Sequence, residues 1–229
     1  GGMKNIEMLL VRSFEFNPND EELEILERDF PQVSLTVRDV DSYTEEDIAR
    51  AHIIVGSPKR EDIPKARNLQ WLQTATSGIG RFADRNLYHA SDVMLTNAAG
   101  AYGRQIADHV MGSIIAFNHN FLTFHDQMAA GSWLEQYPKR DLWEETVLIF
   151  GLGDIGTNTA RLAKAHGMRV IGVRRRPTEK PEYLDELHTV DDLDMLLPLA
   201  DYVVLCAPAT PDTKRILNER RMKLMKAGS

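Results

Sequence analysis

Short apolar runs alternate with segments of helical spacing through the first half of the chain. Residues 6–11 and 33–37 are short and apolar, which is typical of strands. Residues 20–30 place leucines at helical spacing behind an acidic first turn. Further strands are predicted at residues 52–55, 69–74 and 93–96, and a further helix after Thr44, its expected N-cap. This alternation favours a parallel sheet, and we interpret residues 3–97 as one α/β domain.

A long helix is predicted for residues 102–130. Its apolar positions occupy more than one face, which is typical of a buried helix: Ile106, Val110, Met111, Ile114, Ile115, Phe117, Phe121 and Phe124. Gly131 follows, and a left-handed position after a helix favours glycine. We assign residues 98–145 to this interdomain helix and a linker. The apolar surface of the helix also predicts a homodimer.

A second α/β unit begins at Thr146. Its predicted strands are residues 146–150, 168–173, 188–190 and 202–206, with later helices at 191–197 and 217–226. A doubly wound unit of this kind has about six strands, and only four are predicted here. We therefore expect the second domain, residues 146–229, to be incomplete at its C-terminal end.

The glycines at 151, 153 and 156 follow a predicted strand and open a predicted helix. Gly151 permits a tight turn, Gly153 lets a pyrophosphate approach the backbone, and Gly156 lets the helix pack close to the sheet. The amides of Asp154 and Ile155 would then offer N–H groups at a positive helix end. The alternative is a glycine-rich turn that only joins strand to helix. The pattern favours a dinucleotide site, and hence two Rossmann- or flavodoxin-like domains.

The end of the second strand of this unit carries Arg174, Arg175 and Arg176. An acid usually stands there and binds the ribose 2′-hydroxyl. A guanidinium instead matches a 2′-phosphate through two parallel hydrogen bonds. The sequence therefore predicts NADP as the preferred cofactor, with NAD possible as a second one. The alternative is a solvated basic turn.

Composition narrows the function classes. A formal net charge of −7 argues against nucleic-acid binding, which needs clustered positive charge. No apolar stretch is long enough to span a bilayer. The single cysteine, Cys206, makes no intrachain disulfide, so we expect a cytoplasmic protein. No metal-binding motif occurs, and we expect no metal. His109 lies on a mostly apolar helix and is more simply a structural histidine.

Several segments, in order, resemble the D-isomer-specific 2-hydroxyacid dehydrogenases. Residues 76–80, Thr-Ser-Gly-Ile-Gly, are similar to the family's substrate-carboxylate loop. The other similar segments are residues 97–100 with 106–109 (the interdomain segment), 131–133 (Gly-Ser-Trp), 151–156 (the cofactor loop), 207–213 (a loop over the nucleotide) and 222–229 (a helix end). The arginine at 174 is similar to the family's NADPH-dependent glyoxylate and hydroxypyruvate reductases.

The resemblance implies that a small 2-keto acid is reduced to a D-2-hydroxy acid with NAD(P)H. It implies that Ser77, Gly78 and Ile79 hold the substrate carboxylate and that Ile106 packs behind the nicotinamide. It assigns Ala207, Pro208 and Thr213 to the loop over the nucleotide. The family's catalytic arginine, glutamate and histidine have no counterpart up to Ser229, so we expect them after that residue and none within this chain.

Two other interpretations stay open from the sequence. One is a cofactor-sensing interaction protein of the same fold that catalyses nothing, similar to the family's transcriptional corepressors. The other is a dimerisation module with an incomplete cofactor site. The fold does not select the substrate, because one fold hosts many functions. Glyoxylate, hydroxypyruvate, pyruvate and bulkier keto acids are therefore all open.

Overall fold

The computed structural model describes residues 5–133, 140–176 and 178–229. The chain divides into two compact units, Gly1–Ala101 and Tyr102–Ser229. The helical segment that the sequence assigned to an interdomain region belongs to the second unit. Part of the predicted linker, residues 134–139, lies outside the described residues.

The first unit is built on a parallel five-stranded sheet with the order β2-β1-β3-β4-β5. Helix α1 is capped by Asn19 and α2 by Thr44, as the sequence predicts for Thr44. A buried apolar cluster that includes Leu9, Ile54 and Leu72 forms the core. The elements are β1 (Ile6–Arg12), α1 (Asp20–Asp29), β2 (Val33–Asp39), α2 (Glu45–Arg50), β3 (Ile53–Gly56), β4 (Trp71–Thr74) and β5 (Met94–Thr96). The predicted strands and the parallel sheet are confirmed.

The second unit carries a parallel four-stranded sheet with the order β8-β7-β6-β9. Its strands are β6 (Thr146–Phe150), β7 (Arg169–Val173), β8 (Glu186–His188) and β9 (Tyr202–Leu205). All five residues of β6 are buried, because it lies between two strands and between helical layers. Three of the four predicted strands are confirmed; the third, predicted at 188–190, lies two residues earlier, because a 3-10 turn begins at Val190. The class of two α/β parallel-sheet domains is confirmed.

The prediction of one long helix over residues 102–130 is wrong. Helix α3 (Gly103–Asn118) and helix α4 (Phe121–Ala129) are separated at Asn120, whose φ of 55° is left-handed. Apolar spacing continues across the break, so periodicity alone does not reveal it. Gly131 adopts φ 63°, and Ser132 N–H donates to Gln127 O, which confirms the predicted glycine stop.

Within this single chain, the helical segment is not buried on most sides. Only one face of α3 is buried, by Gly103, Ala107, Met111, Ile114 and Asn118. Every residue of α4, all of which the structure describes, keeps some exposure. Val110 and Ile115 pack partly against the core, whereas the apolar side chains that stay exposed within this chain are Ile106, Phe117, Phe121, Leu122 and Met128.

Three further helices complete the second unit. Helix α5 (Asp154–Ala165) follows the glycine turn and packs along α3. Helix α6 (Leu193–Leu196) is short, since 3-10 turns flank it and Pro198 ends it. Helix α7 (Glu219–Met222) is shorter than the predicted 217–226, because the chain then tightens into turns between Arg221 and Met225. Among the described residues, no helix combines the length and apolar character needed to cross a bilayer.

Candidate cofactor-binding site

The predicted cofactor residues of the second unit meet at one edge of its sheet. Strands β7, β6 and β9 are adjacent and parallel, so their carboxyl ends lie side by side. Gly151 follows β6, and its N–H donates to Val173 O at 2.8 Å, directly before Arg174. On the other side, Cys206 N–H donates to Phe150 O at 2.8 Å, directly before Ala207. The glycine turn is thus flanked by the arginines and by the loop after β9.

Two positions of the turn require glycine, because neighbouring backbone atoms leave no room for a Cβ. Gly151 has φ +99°, and a Cβ there would lie 2.5 Å from the Ala207 nitrogen. A Cβ on Gly156 would lie 1.9 Å from the Gly151 carbonyl oxygen. Any larger residue at either position must displace backbone. These glycines therefore bring the turn against β9 and the helix against the turn.

Gly153 differs from the other two glycines. A Cβ added there would meet no atom of the protein within 4 Å. Protein packing therefore gives no reason for glycine at 153, and its φ of −80° gives none either. An open side at this position fits a ligand that must approach the backbone closely.

The backbone amides at the start of α5 have no hydrogen-bond acceptor among the residues that the structure describes. Gly153 is the N-cap and has no side chain to satisfy them, and the first internal bond runs from Thr157 N–H to Gly153 O. The amides of Asp154, Ile155 and Gly156 donate to no described residue. Unpaired N–H groups and the positive helix end attract an anion such as pyrophosphate. The turn therefore fits the pyrophosphate of a dinucleotide.

The Asp154 side chain faces helix α3, whereas its backbone amide belongs to the start of α5. Its carboxylate lies against the start of α3, since a Cβ on Gly103 would lie 2.2 Å from Oδ2. Asn158 Nδ2 donates to Asp154 Oδ1 at 3.0 Å and to its carbonyl oxygen at 2.8 Å. The carboxylate thus faces α3, where it complements the positive helix end. The glycine pattern alone did not indicate this role.

The three arginines begin where β7 ends. Arg174 is half-buried, while Arg175 and Arg176 are exposed. Arg174 N–H donates to His188 O at 3.1 Å, which fixes its backbone to the end of β8. Its guanidinium donates to Thr178 Oγ1 at 2.8 Å.

Nearby acids are already engaged with other cations. Glu186 pairs with Arg169 and accepts a hydrogen bond from His188 at 2.8 Å, and both contacts hold the pKa of Glu186 below its usual range. Asp185 pairs with Lys164. Within the described residues none of the three arginine guanidinium groups forms an ion pair. Their positive charge is available to an anionic ligand.

The loop after β9 is closed by its own hydroxyl groups. Thr213 Oγ1 donates to Pro208 O at 2.6 Å, and Thr210 N–H donates to Thr213 Oγ1 at 2.8 Å. Ala207 packs its backbone against Gly151, which places the start of the loop beside the glycine turn.

Ile106, on the first turn of α3, is 38% exposed and has side-chain surface left for a ligand.

The predicted substrate residues follow β4 in the first unit. Asn97 Nδ2 donates to Ser77 O at 2.9 Å, and Thr76 Oγ1 donates to Gly78 O at 3.2 Å. These contacts hold the loop through its carbonyl groups. The amides of Ser77, Gly78 and Ile79 donate to no described residue. Three successive N–H groups of this kind form a suitable site for a carboxylate.

A family model matches the glycine turn, the three arginines, the loop after β9 and the four-stranded sheet of the second unit. The model describes the NAD-binding domain of the D-isomer-specific 2-hydroxyacid dehydrogenases and matches residues 111–229. The chain belongs to the D-isomer-specific 2-hydroxyacid dehydrogenase family. The match identifies residues 111–229 with the NAD-binding domain of that family.

Curated relatives in the dehydrogenase family match more than half of this chain. A D-3-phosphoglycerate dehydrogenase of Methanocaldococcus jannaschii is 30% identical over 169 residues, which are 73% of this chain and 32% of that protein. A glyoxylate reductase of Thermococcus onnurineus is 33% identical over 143 residues, 58% of this chain and 42% of that protein. The chain thus spans less than half the length of these curated relatives.

A solved family structure supports the same fold. The crystal structure of a D-isomer-specific 2-hydroxyacid dehydrogenase family protein from Aeromonas salmonicida superposes with a TM-score of 0.84 at 26% identity. The match covers 99% of this chain and 71% of that one. Both α/β units of the chain therefore have counterparts in the dehydrogenase fold.

Cys206 and the histidines were further candidates for reactive chemistry in the described part of the chain. Burial raises the pKa of the Cys206 thiol, which makes it a poor nucleophile. Among the described residues, no three His, Cys, Asp or Glu side chains cluster in a way that could hold a metal ion. His109 lies on α3, and its backbone carbonyl accepts from Ser113 Oγ at 2.8 Å.

Proposed function

We propose that the protein reduces a small 2-keto acid to the D-2-hydroxy acid, with NADPH as the preferred cofactor and NADH as a weaker alternative. The unpaired amides of Asp154, Ile155 and Gly156, beside an open Gly153, carry this proposal. They would hold the pyrophosphate. NADPH, when bound, supplies the hydride.

The choice of NADPH rests on the charge beyond β7. Arg174, Arg175 and Arg176 replace the acid that would accept hydrogen bonds from a ribose 2′-hydroxyl. A 2′-phosphate carries close to two negative charges at neutral pH, and guanidinium groups bind such an anion strongly. Because the neighbouring acids are paired elsewhere, they do not cancel this attraction.

The remaining predicted residues would surround the substrate and the nucleotide. The amides of Ser77, Gly78 and Ile79 would bind the substrate carboxylate. Ile106 would pack against the nicotinamide, and Ala207, Pro208 and Thr213 would border the nucleotide. Hydride addition leaves negative charge on the former carbonyl oxygen, so the reaction also needs a proton donor. We propose none of the described residues for that role.

A turnover assay on the whole protein tests the reaction. NADPH oxidation is followed with glyoxylate, hydroxypyruvate, pyruvate and a branched 2-keto acid. We expect NADPH oxidation with at least one of them. Where hydroxypyruvate, pyruvate or the branched acid is reduced, chiral chromatography should show the D-configured product, whereas glycolate from glyoxylate has no stereocentre. Tight NADPH binding with no oxidation for any keto acid would contradict the reductase proposal.

That contrary result would favour a second candidate, a cofactor-sensing protein that acts through its surface. The observation that favours it is the exposed apolar face of the second unit. Phe117 is 74% exposed, Leu122 68% and Met128 78%, all on α3 or α4. We further propose that this face packs against a second copy of the chain in a homodimer, because contiguous exposed apolar patches usually mark protein interfaces.

A further inference from the structure

Thr178 contacts the side chain on which the proposed NADPH preference depends. Its hydroxyl oxygen accepts from Arg174 Nη1 at 2.8 Å. The same hydroxyl donates its proton to Glu179 O at 3.3 Å. With the proton directed to a carbonyl, the oxygen presents its lone pairs to the guanidinium.

These contacts restrain Arg174 at both ends. The backbone is held by the bond from its N–H to His188 O, and the guanidinium is held by Thr178. A free arginine side chain has many rotamers and loses that freedom when it binds a ligand. A guanidinium already held in place loses less, so it binds a matching anion more tightly.

The chemistry of the partner matters as much as its position. A hydroxyl uses one of the five guanidinium N–H groups and leaves the positive charge intact. A carboxylate at the same place would neutralise the charge and compete with a phosphate. Threonine thus orients Arg174 and keeps it attractive to a dianion.

We propose that Thr178 is a specificity-determining positioning residue, which holds Arg174 ready for the 2′-phosphate and so favours NADPH over NADH. This inference rests on the proposed NADPH function. A merely structural Thr178 would instead stabilise the turn after β7 and affect both cofactors equally.

The experiment measures dissociation constants by calorimetry for two ligand pairs, NADPH with NADH and adenosine 2′,5′-bisphosphate with AMP. The variants are Thr178→Val, which keeps the shape but removes the hydroxyl, and Thr178→Ser, which restores it. Thr36→Val is the matched control, since Thr36 Oγ1 accepts from Arg50 at the same 2.8 Å in the first unit.

For Thr178→Val we expect binding of both 2′-phosphorylated ligands to weaken about three- to tenfold, the usual effect of one lost hydrogen bond. NADH and AMP should bind as before. Thr178→Ser should recover most of the difference, and Thr36→Val should match the wild type.

Two results would overturn the inference. Equal weakening of all four ligands would show a structural role for Thr178, and unchanged binding would show no role. Failure of the proposed NADPH preference would look different from failure of the Thr178 inference. In that case the unsubstituted protein would bind AMP as tightly as adenosine 2′,5′-bisphosphate.

Discussion

Gly153 and Gly156 share one motif but have different physical reasons to be glycine. At 156 a Cβ would lie 1.9 Å from the Gly151 carbonyl oxygen, whereas at 153 it would meet nothing. We predict that Gly156→Ala lowers the free energy of unfolding by about 2 kcal/mol, the usual effect of forced overpacking. Gly153→Ala should unfold at the wild-type denaturant concentration.

Ligand binding completes this comparison. Gly153→Ala should weaken NADPH binding at least about tenfold, because its methyl group would occupy the open side that the pyrophosphate needs. Fluorescence titration of folded protein measures it. Wild-type affinity in Gly153→Ala would contradict the assigned position of the pyrophosphate, whatever the stability of Gly156→Ala.

The lowered pKa of Asp201 should make the stability of the fold depend on pH. Burial alone would raise its pKa, but hydrogen bonds from Lys226 at 2.8 Å and from Thr146 N–H outweigh burial and lower it. A pKa that is lower in the folded state stabilises the fold above the unfolded value, about 3.9, and this contribution is lost as pH falls through the folded pKa.

Asp201→Asn should therefore lower the free energy of unfolding by about 1 kcal/mol at neutral pH, since a charged hydrogen-bond partner is removed. The difference from wild type should shrink as pH falls below the unfolded pKa, about 3.9, and should disappear below the lower folded pKa. Urea unfolding at several pH values measures both effects. Glu24→Gln, on the exposed side of α1, serves as the control, and a difference that persists at low pH would contradict the assignment.

At the scale of elements, a partly buried polar cluster joins α3 to β9 and to Glu145, the residue before β6. Asn118 Nδ2 donates to the Tyr202 hydroxyl at 2.7 Å, and that hydroxyl donates to the Glu145 carboxylate. Arg140 Nε lies 3.0 Å from the same carboxylate. Burial and the bond to Glu145 raise the pKa of Tyr202 to about 12, so the hydroxyl keeps its proton.

Tyr202→Phe should lower the free energy of unfolding by about 1–2 kcal/mol, because it leaves the buried Asn118 amide and the half-buried Glu145 carboxylate with one hydrogen-bond partner fewer. Thermal unfolding followed by circular dichroism measures the loss. Tyr183→Phe is a matched control, since the Tyr183 hydroxyl bonds to no described residue while its ring lies under Arg161. Equal effects of the two substitutions would contradict the role of the cluster.

The sequence predicts helices and strands well where the local residue pattern determines them. It predicts poorly the features that depend on contacts between distant residues. The strands of both sheets and the Thr44 cap are recoverable because β-branched runs and capping residues act locally. The break between α3 and α4 at Asn120 cannot be predicted in this way, since one left-handed residue leaves the apolar spacing of the sequence unchanged. The Asp154 contact with α3 and the Thr178 contact with Arg174 are likewise hidden, because each depends on where side chains point.

At the scale of the whole molecule, the exposed face of α3 and α4 predicts self-association. Phe121→Asp with Leu122→Asp should convert a homodimer to a monomer, because each charge would be buried in an apolar interface. Light scattering measures the mass. Phe14→Asp, a fully exposed position in the first unit, should remain dimeric. A monomeric wild type, or a dimeric double variant, would contradict the proposed interface.

The central claim is that the glycine turn and Arg174 together select a 2′-phosphorylated dinucleotide. Calorimetric titration of the unmodified protein with NADPH and with NADH tests it most directly. We predict that NADPH binds at least about tenfold more tightly, and that this ratio falls as salt screens the guanidinium charges. NADH binding that equals or exceeds NADPH binding would contradict the account.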